Sequence, residues 1–137
     1  MAIDAERALR GMVRTGTVSA VYPKTDTVRV VFDDKDGTTS PELHVLHRFS
    51  GKNKDYWTPD MGDQVVCLFA NNDKNFSTGW VLGSYFTDKQ PPQVNSADIM
   101  RLDFADGSYM EYNRASSSLN IHVVGNITIN GATINLN

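Results

Sequence analysis

Cysteine is nearly absent from this sequence. Cys67 is the only one among 137 residues, which excludes a disulfide or a multi-cysteine zinc site within one chain. It stands inside the apolar run QVVCLF, where we expect it to be buried as a small hydrophobic side chain. Long apolar runs are also missing, since no stretch approaches the roughly 18 residues of a membrane span. The opening MAIDAERALR lacks the apolar segment of a secretion signal, so we expect synthesis in the cytoplasm.

A surplus of basic residues is missing as well. Thirteen Lys and Arg stand against sixteen Asp and Glu, which gives a formal net charge of −3. This balance argues against a protein that binds nucleic acid by neutralising its phosphates. With 40% hydrophobic and 21% charged residues, the composition is that of a soluble protein with one compact domain and a small appendage.

No motif for catalysis or metal binding is present. The sequence has no nucleophile elbow and no phosphate-binding glycine loop. We therefore expect that the protein is not an enzyme and binds no cofactor. His44 and His47 lie three residues apart, a spacing that sends strand side chains to opposite faces and disfavours a shared metal. The stretch DDKDGTTS is a poor calcium loop, because Phe32 and Leu43 occupy its first and last ligand positions.

Strand-like alternation dominates the first two thirds of the chain. Apolar residues alternate on both sides of the turn PKTD and predict a hairpin: Val18, Ala20 and Tyr22, then Val28, Val30 and Phe32. Further strands are predicted in LHVLHRF, DQVVCLF and GWVLGSYF. Five short strands behind a helix over residues 3–13 predict a small closed barrel of the OB-fold type, because closure removes edge strands.

Two groups of apolar side chains allow alternative interpretations. The helix carries a stripe that could cover the barrel or dock on a neighbouring subunit: Ala8, Leu9, Met12 and Val13. Five aromatic residues could stack bases on the barrel or pack in the core or a subunit interface: Tyr56, Trp57, Trp80, Tyr85 and Phe86. Packing is favoured for the aromatic residues, because their neighbours are not basic.

A change of architecture is predicted after the barrel. The adjacent prolines of TDKQPPQVNSAD cannot donate to a sheet ladder and hold the chain extended. We therefore divide the chain into an N-terminal helix region (1–14), a barrel (15–90), a linker (91–97) and a β-stranded stem (98–137). The stem opens with IMRLDFADGSYMEYN, a hairpin about Asp106 and Gly107.

The end of the stem raises the question of what covers it. Its large apolar residues alternate with polar ones and have no later strand to pack against: Leu119, Ile121, Val123, Ile127, Ile129, Ile134 and Leu136. Ile127 and Ile134 are seven apart, so Gly131 and Ala132 must turn or bulge the chain if both are buried together. Three copies of the chain wound about a common axis would bury these seven residues and pair their backbones, which predicts a homotrimer.

Four ordered motifs make the sequence similar to a known family. ERALRGMVRTGTV, LHRFSGKNKDYWTPDMGDQVVCLF, GWVLGSYFTDKQPP and LDFADGSYMEYNRASSSLNI resemble, in order and spacing, the phage baseplate assembly protein V family. The resemblance covers most of residues 6–124. It implies an all-β trimer with an OB-fold barrel at the tail-facing end and an intertwined, β-helix-like stem that points at the host.

The resemblance also implies a function. The chain would be the central spike of a contractile tail or a phage-tail-like particle, made in the bacterial cytoplasm and built into the baseplate. It would contact hub or tube proteins at the barrel end, plug the tube, and pierce the target cell envelope when the sheath contracts. The alternative from another class is an OB-fold protein that binds single-stranded nucleic acid.

The stem departs from relatives that end in a His-x-His metal tip, because this chain has no such pair. His122 should point outward with Asn120 and Val124, since Ile121 and Val123 flank it on the face assigned to the axis. The amides Asn135 and Asn137 are poor ligands for a transition metal. We expect a metal-free stem with Ile134 and Leu136 at an open apolar end, which a separate small tip protein would cap.

Overall fold

The computed structural model describes residues 5–6, 9, 11–34, 37–70 and 77–137. Within these residues eight strands are present: β1 (Val13–Tyr22), β2 (Thr27–Phe32), β3 (Leu43–Val45), β4 (Gln64–Phe69), β5 (Gly79–Ser84), β6 (Ile99–Asp103), β7 (Tyr109–Asn113) and β8 (Ser118–His122). The chain divides into two compact units, Met1–Pro91 and Pro92–Asn137. The division falls between the two adjacent prolines of the predicted linker.

The first unit is a closed barrel with the strand order β1-β2-β3-β5-β4. All neighbours are antiparallel except β3 and β5, which pair in parallel through His44 opposite Trp80 and Val45 opposite Val81. The barrel closes where β1 pairs with β4, from Val13 opposite Leu68 to Thr17 opposite Gln64. This five-stranded barrel in a nearly all-β chain confirms the predicted all-β class and the OB-type barrel. The intertwined trimeric stem stays a prediction.

The β1–β2 hairpin is confirmed, but its inward face differs from the prediction. The register shifts between Val18 and Ala20, and this bulge reverses the alternation for the rest of β1. Val21 therefore packs against the core, while Tyr22 is exposed. The simple alternation of Val18, Ala20 and Tyr22 was wrong beyond Val18.

The barrel interior is filled by ten buried hydrophobic residues, and all five strands contribute: Val18, Val28, Val30, Phe32, Leu43, Val45, Val65, Cys67, Phe69 and Val81. Phe32 and Phe69 meet edge to face, with ring centroids 5.6 Å apart. Cys67 is fully buried, as predicted, and burial raises the pKa of its thiol to about 12.

Two glycines let the backbone approach its neighbours closely inside the barrel. A Cβ at Gly16 would lie 2.4 Å from the carbonyl oxygen of Val31, and one at Gly79 would lie 2.5 Å from the ring of Phe69. No larger side chain fits at either position without a shift of its neighbours. Gly16 is hence required where β1 lies close to the backbone of Val31 in β2.

Two predicted elements have different bounds. Val13, assigned to the helix stripe, instead begins β1, where it can pair with Leu68. The strand predicted in LHVLHRF ends at Val45, because the chain then enters a loop held by Arg48, whose Nε donates to Asp55 Oδ2 at 2.9 Å.

Part of the predicted helix lies outside the described residues. Five residues of this segment are helical: Ala5, Glu6, Leu9, Gly11 and Met12. Ala8 belongs to the part that is not described, and Leu9 is exposed. No helix in the described part of the chain has both the length and the apolar character needed to cross a membrane.

The second unit contains a three-stranded antiparallel sheet in the order β6-β7-β8. The hairpin about Asp106 and Gly107 is confirmed, with Gly107 at a φ of 94° and Phe104 N donating to Ser108 O. Asp106 Oδ1 accepts from Ser108 N at 2.9 Å, which lowers the pKa of the Asp106 carboxyl. A second tight turn, with Ser117 at a φ of 53°, connects β7 to β8.

Candidate assembly interface

One face of the β6–β8 sheet is entirely apolar. In β6 and β7, Met100 lies opposite Tyr112, and Leu102 lies opposite Met110. The pairing of β7 with β8 extends the first row to Leu119 and the second to Ile121. Directly opposite residues of an antiparallel sheet share a face. The six side chains therefore form one surface, which we call the apolar face: Met100, Leu102, Met110, Tyr112, Leu119 and Ile121.

The apolar face is open to solvent in the single chain. Its six residues are between 40% and 75% exposed, with Tyr112 the least and Met100 the most exposed. If a fully exposed large side chain presents about 200 Å², the face exposes roughly 600 Å². That value lies at the upper end of the largest apolar patch on a typical monomeric protein, about 300–600 Å². An exposed apolar surface of this size is a candidate site of contact.

The opposite face of the same sheet is polar and internally paired. Arg101 donates to Glu111 and to Asp103, both at 2.9 Å, and these hydrogen bonds raise the pKa of its guanidinium. The guanidinium also lies 3.9 Å from the ring centroid of Tyr109, which stacks on His122 at 5.2 Å. The sheet thus has one face whose charged residues pair with one another and one face without charge.

The segment that follows β8 has neither a core nor backbone partners. Residues 124–137 are all exposed, and none of them belongs to a strand. In the described part of the chain, the one contact that fixes its start is Val124 N donating to Ser108 Oγ at 3.1 Å. Beyond it, no backbone hydrogen bond is formed by residues 125–137 within the described chain. We call residues 124–137 the tail.

The structure locates the seven predicted interface residues in three places. Leu119 and Ile121 lie on the apolar face, and Val123 follows β8 as a half-buried residue. The other four are in the tail and are exposed, up to 93% for Leu136: Ile127, Ile129, Ile134 and Leu136. Burial of these residues between chains stays a prediction.

Four members of the apolar face were not predicted as interface residues: Met100, Leu102, Met110 and Tyr112. The signal was present in the sequence as period-two alternation on both sides of the Asp106–Gly107 turn. Aligning the two halves of that hairpin places them in the same rows as Leu119 and Ile121. The alternation alone did not identify these four residues, because the pairing register of β6, β7 and β8 was needed to place them beside Leu119 and Ile121.

His122 is on the side of the sheet that the sequence predicts. It lies opposite Tyr109, on the polar face, while its neighbour Ile121 lies opposite Met110 on the apolar face. Asn120 shares the polar face and donates from Nδ2 to Tyr109 Oη at 3.4 Å.

On the barrel, His44 and His47, which the sequence analysis considered as a metal pair, have separate surroundings. His44 is exposed on β3, and His47 Nε2 contacts Asp26 Oδ2. Thr58 donates its hydroxyl hydrogen to the other oxygen of Asp26 at 3.1 Å. Among the described residues, no group of three or more His, Cys, Asp or Glu side chains is arranged to hold a metal ion.

The five barrel aromatics do not act as one group. Trp57 packs against the barrel core and donates from Nε1 to Leu46 O at 2.9 Å. Tyr85 Oη accepts from Gln64 Nε2 at 3.0 Å, and Trp80 is half-buried on β5. Tyr56 and Phe86 are exposed. The packing interpretation holds for Trp57, and the structure leaves Tyr56 and Phe86 available for contacts outside the chain.

Two comparisons with known proteins agree with this architecture. The family model of the type VI secretion system/phage-baseplate injector OB domain matches residues 14–86, the segment that forms the closed barrel. The spike protein of Escherichia phage P2 is 29% identical to this chain over 118 residues. That match covers 86% of the chain and 54% of the phage protein. The chain therefore spans about half the length of this curated relative.

Proposed function

This chain belongs to the type VI secretion system/phage-baseplate injector OB domain family, and on that basis we propose that it is the structural central spike of a contractile-tail baseplate. Its similarity to a phage spike protein supports the same role. The observation that carries the proposal is the apolar, unpaired tail, which follows a sheet whose one face is also apolar and uncovered. A chain built in this way is completed by association.

The proposed state is a homotrimer whose three tails wind about one axis. Inward isoleucines would lose their contact with water, while the intervening Asn and Thr side chains would remain hydrated. Each tail would find backbone partners on the other two chains, which satisfies donors and acceptors that the single chain leaves unpaired. The same arrangement would bury the exposed isoleucines of the tail and pair its backbone groups.

The mechanical role follows from this arrangement. A stem whose backbone hydrogen bonds run between all three chains has no free edge from which a strand can peel. The barrels are closed as well. We propose that three barrels plug the tube before firing, and that sheath contraction supplies the work that drives the stem into the target cell envelope. No catalytic step in this chain is part of the proposal.

Partners are proposed at both ends of the spike. Hub or tube proteins would contact the barrel end, where Tyr56 and Phe86 are exposed. At the tail, Ile134 and Leu136 expose apolar surface, which a separate small tip protein would cover. The assembled spike would reside in the virion tail or in a phage-tail-like particle. A density map of an intact particle with bare stem ends would contradict the tip partner.

Light scattering of the purified chain tests the trimer directly. Three copies of 15.2 kDa give about 46 kDa. A single-chain mass at micromolar concentration would contradict the proposed spike. In the particle, removal of this protein should abolish killing or infection, and a labelled chain should be found at the centre of the baseplate.

The alternative, binding of single-stranded nucleic acid by the barrel, has weaker support. The aromatic residues that could stack bases are divided between core packing and exposed positions, and the chain carries a net charge of −3. Base stacking in OB-folds works together with a positively charged groove. The spike also accounts for the tail, whereas nucleic-acid binding does not.

A further inference from the structure

The tail contains a pair of neighbouring residues that can react with each other. Asn130 and Gly131 form the only Asn-Gly sequence in the chain. We propose that Asn130 is a site of spontaneous deamidation in the unassembled chain and that assembly of the stem closes this site. The site itself follows from the single chain, whereas its closure rests on the proposed trimeric spike.

The reaction requires water and no enzyme. The backbone nitrogen of Gly131 attacks Cγ of the Asn130 side chain, and the new C–N bond closes a cyclic imide. The bond between Cγ and Nδ2 breaks, and Nδ2 leaves as ammonia with the proton that the Gly131 nitrogen releases. Water then adds to either carbonyl of the imide and opens the ring, which leaves aspartate or isoaspartate at position 130. Because the reacting groups belong to adjacent residues, the attack needs no encounter between molecules.

The structure leaves both reacting groups accessible. Asn130 and Gly131 are exposed and lie outside the strands. Within the described chain, the nitrogen of Gly131 takes part in no backbone hydrogen bond, so its attack breaks none. Gly131 also lacks the Cβ that hinders ring closure in other residues.

Other asparagines of the tail provide internal comparisons. Asn126 and Asn135 are exposed as well, but they are followed by Ile127 and Leu136. The large side chains of these following residues obstruct the approach of their nitrogens to the preceding amide. We therefore expect Asn130 to react first.

A turn in the sheet of the second unit shows how hydrogen bonds protect a similar pair. Asp106 and Gly107 could form the same cyclic imide with loss of water instead of ammonia. However, Gly107 N donates to Phe104 O at 3.1 Å, and Asp106 Oδ1 accepts from Ser108 N at 2.9 Å. Both reacting groups are held by other partners, so we expect Asp106 to stay unmodified. The proposed stem would hold the tail backbone in the same way, through hydrogen bonds between chains.

Asn130 lies where the alignment of the stem depends on the backbone. Ile127 and Ile134 share a face only if the chain turns or bulges at Gly131 and Ala132. Isoaspartate routes the main chain through Cγ and inserts one extra atom at this point, so the residues that follow leave the face that points to the axis. Aspartate keeps the main chain unchanged and places its carboxylate on the face predicted to be hydrated. Chains with isoaspartate should therefore be excluded from the stem, and Asn130 would limit the time in which a free chain can assemble.

Peptide mapping by mass spectrometry on the full-length chain tests the site and its closure. The protein is incubated at mildly alkaline pH, once in its native state and once in denaturant, and aspartate and isoaspartate at position 130 are measured over time. In denaturant, Asn130 should convert before Asn126 and Asn135. In a native protein of trimeric mass it should convert about tenfold or more slowly than in denaturant.

A matched control keeps the asparagine and changes the attacking residue. In Gly131→Ala the new Cβ would lie 3.4 Å from its nearest neighbour, Thr133 O, so the substitution fits in the single chain. It should slow the conversion of Asn130 in denaturant, because the Cβ hinders ring closure. Equal rates in the wild type and Gly131→Ala, or no conversion of Asn130 in denaturant, would overturn the site.

Measuring mass and rate together separates this inference from the proposed function. Equal rates in denaturant and in a native protein of trimeric mass would overturn the closure and leave the trimeric spike intact. Fast conversion in a native protein of single-chain mass would retain the site and contradict the trimer. Slow conversion at single-chain mass would show that the chain itself protects the pair, which overturns the inference.

Refolding tests the effect of the modification on assembly. The wild-type chain is kept in denaturant until part of Asn130 has reacted, and is then refolded and separated by mass. We expect isoaspartate to be concentrated in the single-chain fraction, whereas aspartate at position 130 should be found in both fractions. Isoaspartate distributed equally between trimer and single chains would overturn the exclusion of modified chains.

Discussion

Replacing Ile129 by aspartate is the most direct test of the inward face of the proposed stem. In the single chain Ile129 is 69% exposed, so the change costs little before association. In the trimer it removes three isoleucines from the axis, at about 1.5–3 kcal/mol each if they are fully buried. It also brings three carboxylates close together without partners, which adds several kcal/mol for each buried charge. The total exceeds roughly 10 kcal/mol, which is the whole stability of a small domain.

The expected result for Ile129→Asp is a dissociated or aggregated protein. Light scattering should no longer find the mass of about 46 kDa expected for three copies of 15.2 kDa. The matched control is Asn130→Asp, which adds the same charge one residue further along, on the face predicted to be hydrated. That variant should remain trimeric. If Ile129→Asp stays a trimer with an unchanged melting temperature, the assignment of the inward face is wrong.

Three further predictions concern the barrel and the alternative function. Gly16→Ala should destabilise the barrel by roughly 1–3 kcal/mol in chemical denaturation because its Cβ meets the carbonyl of Val31, whereas Gly83→Ala, with no atom nearby, should not. Burial raises the pKa of Cys67 from 9.0 to about 12, so the unfolded thiol ionises first as pH rises above 9. Between pH 9 and 12 the wild type should therefore lose roughly 1.4 kcal/mol of stability per pH unit relative to Cys67→Ala; parallel stability curves would contradict the burial effect. The purified protein should not bind single-stranded oligonucleotides, and binding that weakens steeply with salt would favour the alternative.

The barrel could be predicted from sequence because each of its strands has one buried face, which produces period-two alternation. Val28, Val30 and Phe32 follow this rule and are all buried. The bulge between Val18 and Ala20 could not be predicted in this way. It is a change of hydrogen-bond register, and the residue types at and beside it give no sequence signal for it. The end of β3 at Val45 was missed because the loop that follows still contains the apolar residues Leu46 and Phe49.

The candidate interface was predicted in part. The tail was singled out because its isoleucines alternate with polar residues. The alternation of side chains along a strand was enough to place His122 on the opposite face from Ile121. Met100 and Leu102 were missed because a five-residue strand gives only two alternating positions, too few to distinguish a contact face from ordinary surface. Their meaning appears only when the register joins them to β7 and β8.

The two units differ in how far a single chain can complete them, and this difference predicts how the protein melts. The barrel has a closed hydrogen-bond network and a buried core, so its stability should not depend on protein concentration. The β6–β8 sheet has a paired backbone but one uncovered face, and the tail has neither a paired backbone nor a buried core. We therefore expect the stability of the second unit to depend on association. Thermal unfolding should therefore show a transition that is unchanged on tenfold dilution and another that moves to lower temperature. The β-strand signal of the diluted protein should retain the barrel while tail amides exchange freely. A second unit whose transition is independent of concentration would mean that one chain folds its own stem, and the proposed trimer would then lack its physical basis.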